Sequence, residues 1–150
     1  MTDHTQHMKR AMELARFQHG RTGTNPSVGC VILNRDGRVI SEAATGDGGK
    51  LHAEEAALRG LPEGAAMGGT AYVTLEPCRE RSAGGASCSE HLLSAGIGVV
   101  CIAVRDPHPN GAGGLARLRE AGVKIELGIL GDEAAGFYAE FFSRVTQNTN

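Results

Sequence analysis

The chain has 150 residues, of which 41% are hydrophobic and 21% charged, and these proportions are typical of one soluble globular domain. A formal net charge of −2, with two Tyr, four Phe and no Trp, gives no electrostatic or stacking basis for binding nucleic acid or an anionic membrane. No apolar run is long enough to span a membrane and the N-terminus lacks an apolar signal region, so we expect a cytoplasmic protein.

Apolar spacing and turn residues divide the first part of the chain into a helix, a hairpin and a second helix. Apolar residues at helical spacing predict a helix over residues 4–19. An uninterrupted apolar run, a turn signal and a second run predict a β-hairpin over residues 28–43. A glycine-rich loop, residues 46–50, then leads to a helix predicted from about His52 to Gly60.

Strands and helices alternate in the rest of the chain. The predicted strands cover residues 70–75, 99–104 and 123–127, and the predicted helices cover residues 88–95, 115–121 and 131–145. This alternation implies right-handed crossovers between parallel strands, to which the hairpin adds an antiparallel edge. We therefore expect an α/β fold of three layers, α/β/α, with a mixed five-stranded sheet and a site beyond the carboxyl ends of its parallel strands.

Two short stretches combine zinc ligands with a carboxylate. His52-Ala53-Glu54 lies at a predicted helix start, Pro77-Cys78 follows a predicted strand, and Cys88 opens a helix. Cysteines in a reducing compartment favour metal binding or buried thiols over disulfides. One imidazole and two thiolates predict zinc, with one coordination position open for water. Glu54 is placed to move protons for that water, which predicts hydrolytic deamination at an amidine-like ring carbon.

A structural zinc site, or no metal at all, is the alternative interpretation. A closed site needs a fourth ligand, and only His91 or His108 is available for that role. Glu54 favours the catalytic interpretation, because a structural site has no use for this carboxylate. Cys30 and Cys101 lie inside apolar strands, where we expect buried thiols.

The same residues resemble the cytidine/deoxycytidylate deaminase superfamily, whose signature is H-x-E followed by P-C and a second cysteine. Five longer stretches are most similar to the deaminase half of the bifunctional riboflavin-biosynthesis deaminase/reductases, and the likeness runs over nearly all of residues 5–145. These stretches are TNPSVGCVI (24–32), GKLHAEE (49–55), AYVTLEPC (71–78), VRDPHP (104–109) and LREAGV (118–123).

This resemblance implies a cytidine-deaminase-like fold and zinc on the three ligands already named, with Glu54 as the proton shuttle. It implies that Asn25 contacts a pyrimidine and that Asp106 lies near the substrate. The substrate of the resembled family is a diaminopyrimidine with a ribosylamino 5′-phosphate, which is deaminated in riboflavin biosynthesis. The superfamily resemblance also implies a homodimer or homotetramer.

Three residues are candidates for the rest of the substrate. A phosphate needs cations, and we expect Arg79 and Arg81, between the two cysteines, to meet it; an ordinary solvated loop is the alternative. His108 lies in a proline-flanked loop at the predicted sheet edge and is a further candidate for substrate contact. For the glycine-rich loop at residues 46–50 we expect a flexible turn, with a phosphate-binding loop as the alternative.

The chain departs from the family between its two cysteines and in its length. Nine residues, from Arg79 to Ser87, separate the cysteines, one more than is usual in the family, and Glu80 stands where a family histidine falls. No reductase sequence follows, so we expect a single deaminase domain over residues 1–150. These departures favour, as the first alternative, a stand-alone deaminase of cytosine, cytidine, a nucleotide or guanine. A non-catalytic zinc-stabilised binding module is the second alternative.

Overall fold

A five-stranded sheet forms the centre of the computed structural model, which describes residues 3–78, 87–107 and 113–147. The strands are β1 (Gly29–Leu33), β2 (Val39–Ala44), β3 (Thr70–Leu75), β4 (Val99–Val104) and β5 (Lys124–Leu127). They lie in the order β2-β1-β3-β4-β5, with β1 antiparallel to both neighbours and β3, β4 and β5 parallel. The predicted mixed sheet, a hairpin plus parallel strands, is confirmed.

Helices cover both faces of this sheet. They are α1 (His4–Gln18), α2 (Ala53–Leu58), α3 (Cys88–Ser94), α4 (Gly114–Glu120), α5 (Gly131–Phe137) and α6 (Ala139–Gln147). The helices α1 and α5 pack on one face, whereas α2, α3 and α4 pack on the other, which confirms the three-layer α/β/α class. Within the described residues, no helix has both the length and the apolar character to cross a membrane.

The two faces of the sheet carry separate apolar cores, because successive side chains of a strand point to opposite sides. Ile32 belongs to the core that contains Leu92 of α3 and Leu118 of α4. Val31, its neighbour in β1, belongs to the core that contains Met12 of α1. The strand β1 is buried along its whole length, which explains why its sequence does not alternate between apolar and polar residues.

The closing helix predicted over residues 131–145 is wrong in one respect, because the chain forms two helices there, α5 and α6, separated at Tyr138. The Tyr138 side chain is buried, and its hydroxyl donates a hydrogen bond to the carbonyl of Ser27 at 2.7 Å. The same hydroxyl lies 2.7 Å from Oγ1 of Thr74. These partners are distant in sequence, so helical periodicity alone does not reveal the break.

Candidate active site

Three side chains with zinc-binding atoms converge at one edge of the sheet. His52 is the N-cap residue of α2, Cys78 lies just beyond the end of β3, and Cys88 is the first residue of α3. Nδ1 of His52 lies 3.0 Å from Sγ of Cys88 and 4.0 Å from Sγ of Cys78. All three ligand atoms lie within 4.8 Å of one another. Two helix starts and one strand end thus bring the predicted ligand set together.

The spacing of these atoms fits a tetrahedral zinc ion. Zn–N and Zn–S bonds of about 2.0 and 2.3 Å put nitrogen and sulfur about 3.5 Å apart at a tetrahedral angle. The two N–S separations, 3.0 and 4.0 Å, fall on either side of this value. In the described ranges no fourth His, Cys, Asp or Glu joins the group, and three protein ligands are the number typical of catalytic zinc. The residues therefore fit the ion that the sequence predicts.

The first turn of α3 favours the thiolate form of Cys78. The backbone amide of Cys88 donates to Sγ of Cys78 at 3.2 Å. Hydrogen bonding by the Cys88 side chain is the largest effect that lowers the pKa of Cys78 to about 4, and burial opposes it. Ser87 and Glu90 form a capping box that fixes this turn, because each side chain bonds the backbone amide of the other residue. The thiolate, which is the form that binds metal, is therefore favoured.

Glu54 is buried in the first turn of α2, two residues after His52, and only 3% of its surface is exposed. Burial is the main cause that raises the pKa of Glu54 to about 7, and the charge of Cys78 adds to the rise. A carboxyl group in this range holds and releases a proton near neutral pH, as general acid–base catalysis requires. A carboxyl group that can exchange a proton near neutral pH therefore lies close to the ligand cluster.

Leu51, directly before His52, has a left-handed backbone conformation with a φ of 60°. This conformation costs an ordinary L-residue about 1–2 kcal/mol. The Leu51 carbonyl accepts a hydrogen bond from the amide of Gly46 at 3.0 Å, which holds the turn in place. Leu51 therefore forms a strained turn directly before the N-cap residue of α2, His52.

The glycine-rich loop ahead of His52 contains one turn of 3-10 helix, Asp47–Gly49, and its glycine amides are used within the protein. The amides of Gly48 and Gly49 donate to the carbonyls of Arg21 and Gly46, at 2.8 and 3.0 Å. The side-chain amide of Asn25 donates to the carbonyl of Gly49 at 3.3 Å. These bonds dock the loop on the segment that precedes β1 and leave those two glycine amides occupied, which argues against a phosphate-binding loop.

The residues predicted to contact substrate are only partly described. Asn25 is exposed beside the glycine-rich loop, and Asp106 is half-buried just beyond β4. Arg79, Arg81 and His108 lie outside the described residues.

The other His and Cys candidates have different surroundings. Nε2 of His91 lies 3.7 Å from a carboxylate oxygen of Glu55, so this histidine pairs α3 with α2. Cys30 and Cys101 are buried free thiols, as expected. Burial raises the pKa of both, to about 12 for Cys101 and well above the usual value for Cys30, so both thiols stay protonated.

Sequence reasoning missed Glu76, which lies between the end of β3 and Pro77-Cys78. The signal was available, because a charged residue follows an apolar strand at this point. Its side chain is fully buried, and its carboxylate accepts hydrogen bonds from the backbone amides of Asp106, Gly113 and Leu115. The partners that give Glu76 a role follow it by 30 residues or more, so local patterns do not indicate them.

A three-layer domain with this ligand cluster and a buried acid beside it has the features of a zinc-dependent hydrolytic deaminase. The family model for the cytidine and deoxycytidylate deaminase zinc-binding region matches residues 1–104, and the chain belongs to this zinc-binding family.

Relatives in riboflavin biosynthesis match almost the whole chain. The riboflavin biosynthesis protein RibD of Escherichia coli is 40% identical over 93% of this chain, which spans 37% of that protein. The diaminohydroxyphosphoribosylamino-pyrimidine deaminase of Buchnera aphidicola is 39% identical over 93% of both chains. The bifunctional diaminohydroxyphosphoribosylaminopyrimidine deaminase/reductase of Thermotoga maritima has 33% identity and a TM-score of 0.88 over 97% of this chain and 42% of its own. The chain thus corresponds to about two fifths of the bifunctional relatives.

Proposed function

We propose that this chain is a zinc-dependent deaminase of a diaminopyrimidine that carries a phosphoribosylamino group. The observation that carries the chemistry is the buried Glu54 carboxyl beside the ligand atoms of His52, Cys78 and Cys88. The substrate class is supported by the Buchnera relative, which matches this chain over 93% of both lengths and is named for that reaction. We also propose that the chain acts as one deaminase domain.

The three ligands have distinct tasks in this proposal. Cys78 and Cys88 supply thiolates from a strand end and a helix start, and His52 supplies a neutral imidazole nitrogen. Zinc held by these residues would act as a Lewis acid and make a water molecule nucleophilic near neutral pH. The low pKa of Cys78 means that this ligand needs no proton removed before it binds the metal.

Glu54 moves the protons of the reaction. Its carboxylate takes a proton from the attacking water and delivers it to the ring nitrogen next to the carbon under attack. After the new carbon–oxygen bond forms, Glu54 takes the remaining hydroxyl proton and gives it to the exocyclic amine, so that the carbon–nitrogen bond breaks. Amine and water thus become ammonia and a ring carbonyl. The burial that raises the pKa of Glu54 to about 7 suits it to both directions of transfer.

Asn25 and Asp106 are the proposed substrate contacts among the described residues. Asn25 lies ahead of β1 and Asp106 lies beyond β4, and both strands pair with β3, which leads to Cys78. The two residues therefore flank the strand end that carries a metal ligand. Arg79, Arg81 and His108 stay predictions for the phosphate and the outer part of the substrate.

Ammonia release from a panel of compounds tests the proposal. The panel contains the diaminopyrimidine ribosylamino phosphate, its dephosphorylated form, cytosine, cytidine, deoxycytidylate and guanine. We expect the first compound to be the best substrate and Glu54→Gln to lower kcat by about 10²- to 10⁴-fold with zinc retained. Glu55→Gln, on the same helix, is the matched control and should keep most activity. Full activity of Glu54→Gln would refute the mechanism, and a better substrate elsewhere in the panel would replace the substrate class.

Assembly and location stay proposals that rest on the resemblance and on composition. A homodimer or homotetramer is the expected state, and light scattering of the zinc-loaded chain measures it. A monomer at all concentrations would contradict this expectation. A cytoplasmic location is expected from the composition and the cysteine content.

A further inference from the structure

We propose that Glu76 is a positioning residue whose buried carboxylate clamps both described ends of the β4–α4 connection to the metal centre, and so places Asp106 for the substrate. This inference rests on the proposed function for the role of Asp106. The clamp itself, meaning the Glu76 carboxylate and the three amides that it binds, stands on geometry alone.

One carboxylate bonds the two ends of the connection at once. Oε1 of Glu76 accepts from the amide of Asp106 at 3.1 Å, just beyond β4. Oε2 accepts from the amides of Gly113 and Leu115, at 3.0 and 3.2 Å, where α4 begins. The backbone amide of Glu76 donates to the carbonyl of Val104 at 3.0 Å, so the residue is fixed to β4 as well.

The charge of Glu76 is buried, and protein groups compensate it. Its side chain has no exposed surface, whereas Arg105, whose Nε lies 3.7 Å from Oε1, is 63% exposed. An ionised carboxylate without water needs hydrogen-bond donors, and the three backbone amides supply them. The acceptor in these three hydrogen bonds is a charged carboxylate. Replacing it with a neutral amide therefore weakens all three bonds.

The clamp is connected through the backbone to Cys78, one of the proposed zinc ligands. Glu76 precedes Cys78 by two residues, and the start of α4 packs directly on the backbone between them. A Cβ on Gly114 would overlap the carbonyl oxygen of Pro77, so the helix start approaches the strand end as closely as glycine permits. On the other side, the amide of Ser89 donates to the carbonyl of Cys78 at 3.2 Å. Cys78 and Asp106 are therefore held in one frame by contacts on either side of Glu76.

Glu76→Gln is the main test, because glutamine keeps the size of the side chain but turns an NH₂ group toward backbone N–H donors. Amide hydrogen exchange, followed by NMR on the zinc-loaded chain without substrate, reports the clamp directly. We expect exchange at Asp106, Gly113 and Leu115 to accelerate about tenfold or more, with the amides of β1 unchanged. Glu120→Gln, an exposed carboxylate at the end of α4, is the matched control and should leave all these rates unchanged.

Kinetics then test the placement of Asp106. We expect Glu76→Gln to raise KM about tenfold or more with kcat changed less than about threefold and zinc still at one ion per chain. In the double variant with Asp106→Asn, Glu76→Gln should add little to KM, because both changes disturb the same contact. Glu76→Asp keeps the charge but is one methylene shorter, so its carboxylate cannot reach the amides of Asp106 and Gly113 at the same time. We expect it to show the same exchange pattern, and it replaces Glu76→Gln should that variant not fold.

Five outcomes overturn all or part of the inference. Unchanged exchange at the three amides refutes the clamp, and unchanged KM with faster exchange refutes the placement of Asp106. Fully additive effects of the two substitutions also refute the placement. Loss of zinc in parallel with KM would make Glu76 a support of the metal site alone. If the wild-type chain deaminates nothing in the panel, the proposed function and the placement both fail, while the exchange rates still decide the clamp.

Discussion

The two tyrosines of the chain provide a matched pair that tests how the fold holds the segment ahead of β1. The Tyr138 hydroxyl donates its hydrogen to the carbonyl of Ser27. In the hydrogen bond between the hydroxyls of Tyr138 and Thr74, Thr74 must therefore be the donor. Oγ1 of Thr74 in turn accepts from the amide of Gly29 at 3.1 Å. Tyr72 instead places its hydroxyl 2.6 Å from Nδ1 of His4, at the start of α1, where the contact is only partly buried.

Tyr138→Phe removes one oxygen and leaves two buried groups without their partner, the carbonyl of Ser27 and the hydroxyl of Thr74. Each such group costs about 1–3 kcal/mol, and Thr74 is at the low end of this range because its Oγ1 keeps the hydrogen bond from the amide of Gly29. We therefore expect a loss of about 2–4 kcal/mol in the free energy of unfolding. For a chain of this length that loss lowers Tm by about 5–15 °C. Tyr72→Phe affects one half-buried contact and should cost about 1 kcal/mol or less.

Urea and thermal unfolding of the zinc-saturated chain measure both variants under one condition, since zinc binding itself adds to stability. The difference between the two variants isolates the hydroxyl network, because both substitutions remove the same atom from a tyrosine. A Tyr138→Phe variant as stable as Tyr72→Phe would refute the reasoning that Tyr138 ties the C-terminal helices to β1.

Three further substitutions test the site and its frame. Cys78→Ala should lower zinc affinity by more than roughly 10- to 100-fold, which is the loss typical of residues that only hydrogen-bond a metal ligand. Competition with a chelator measures this affinity, and an unchanged value would contradict zinc binding by Cys78. Leu51→Ile keeps size and apolarity but puts a β-branched residue at positive φ. In urea unfolding it should lower the free energy of unfolding by about 1–2 kcal/mol more than the control Leu127→Ile on β5. Equal losses for the two variants would contradict the backbone strain at Leu51. Gly114→Ala should lower the free energy of unfolding by about 2 kcal/mol or more, because the added Cβ would overlap the carbonyl oxygen of Pro77. Gly136→Ala in α5 should raise it by about 0.5–1 kcal/mol, because the added Cβ meets no atom within 4 Å. Effects of the same sign would refute the close approach at Gly114.

The clustering of the three candidate zinc ligands was predictable from sequence because its signals are local. His52 and Cys88 stand at helix starts and Cys78 at a strand end, and each position is marked by a change of apolar periodicity or by proline. Glu54 follows His52 within one helical turn, so its closeness to the ligands is a matter of helix geometry.

The parts that sequence reasoning did not predict depend on partners far along the chain. Glu76 finds its donors 30 to 39 residues later, and Tyr138 finds its acceptor 111 residues earlier. The positive φ of Leu51 is likewise invisible in a residue type that rarely adopts it. Such features arise when tertiary contacts override local preference, which happens most often near functional sites.

The mixed topology of the sheet explains why one edge collects the proposed site residues. Because β1 is antiparallel to β3, the segment that precedes β1, with Asn25, lies at the edge where β3 ends. Because β4 is parallel to β3, the segment that follows β4, with Asp106, reaches the same edge. The strand β2 also ends there, since Ala44 pairs with Gly29, and the chain continues from it to His52. In an all-parallel sheet, only the segments that follow the strands would lie at this edge. Because β1 runs in the opposite direction, the segment that precedes it lies there too, next to the segments that follow β2, β3 and β4. Cys78, just beyond β3, lies between Asn25 and Asp106 in this arrangement.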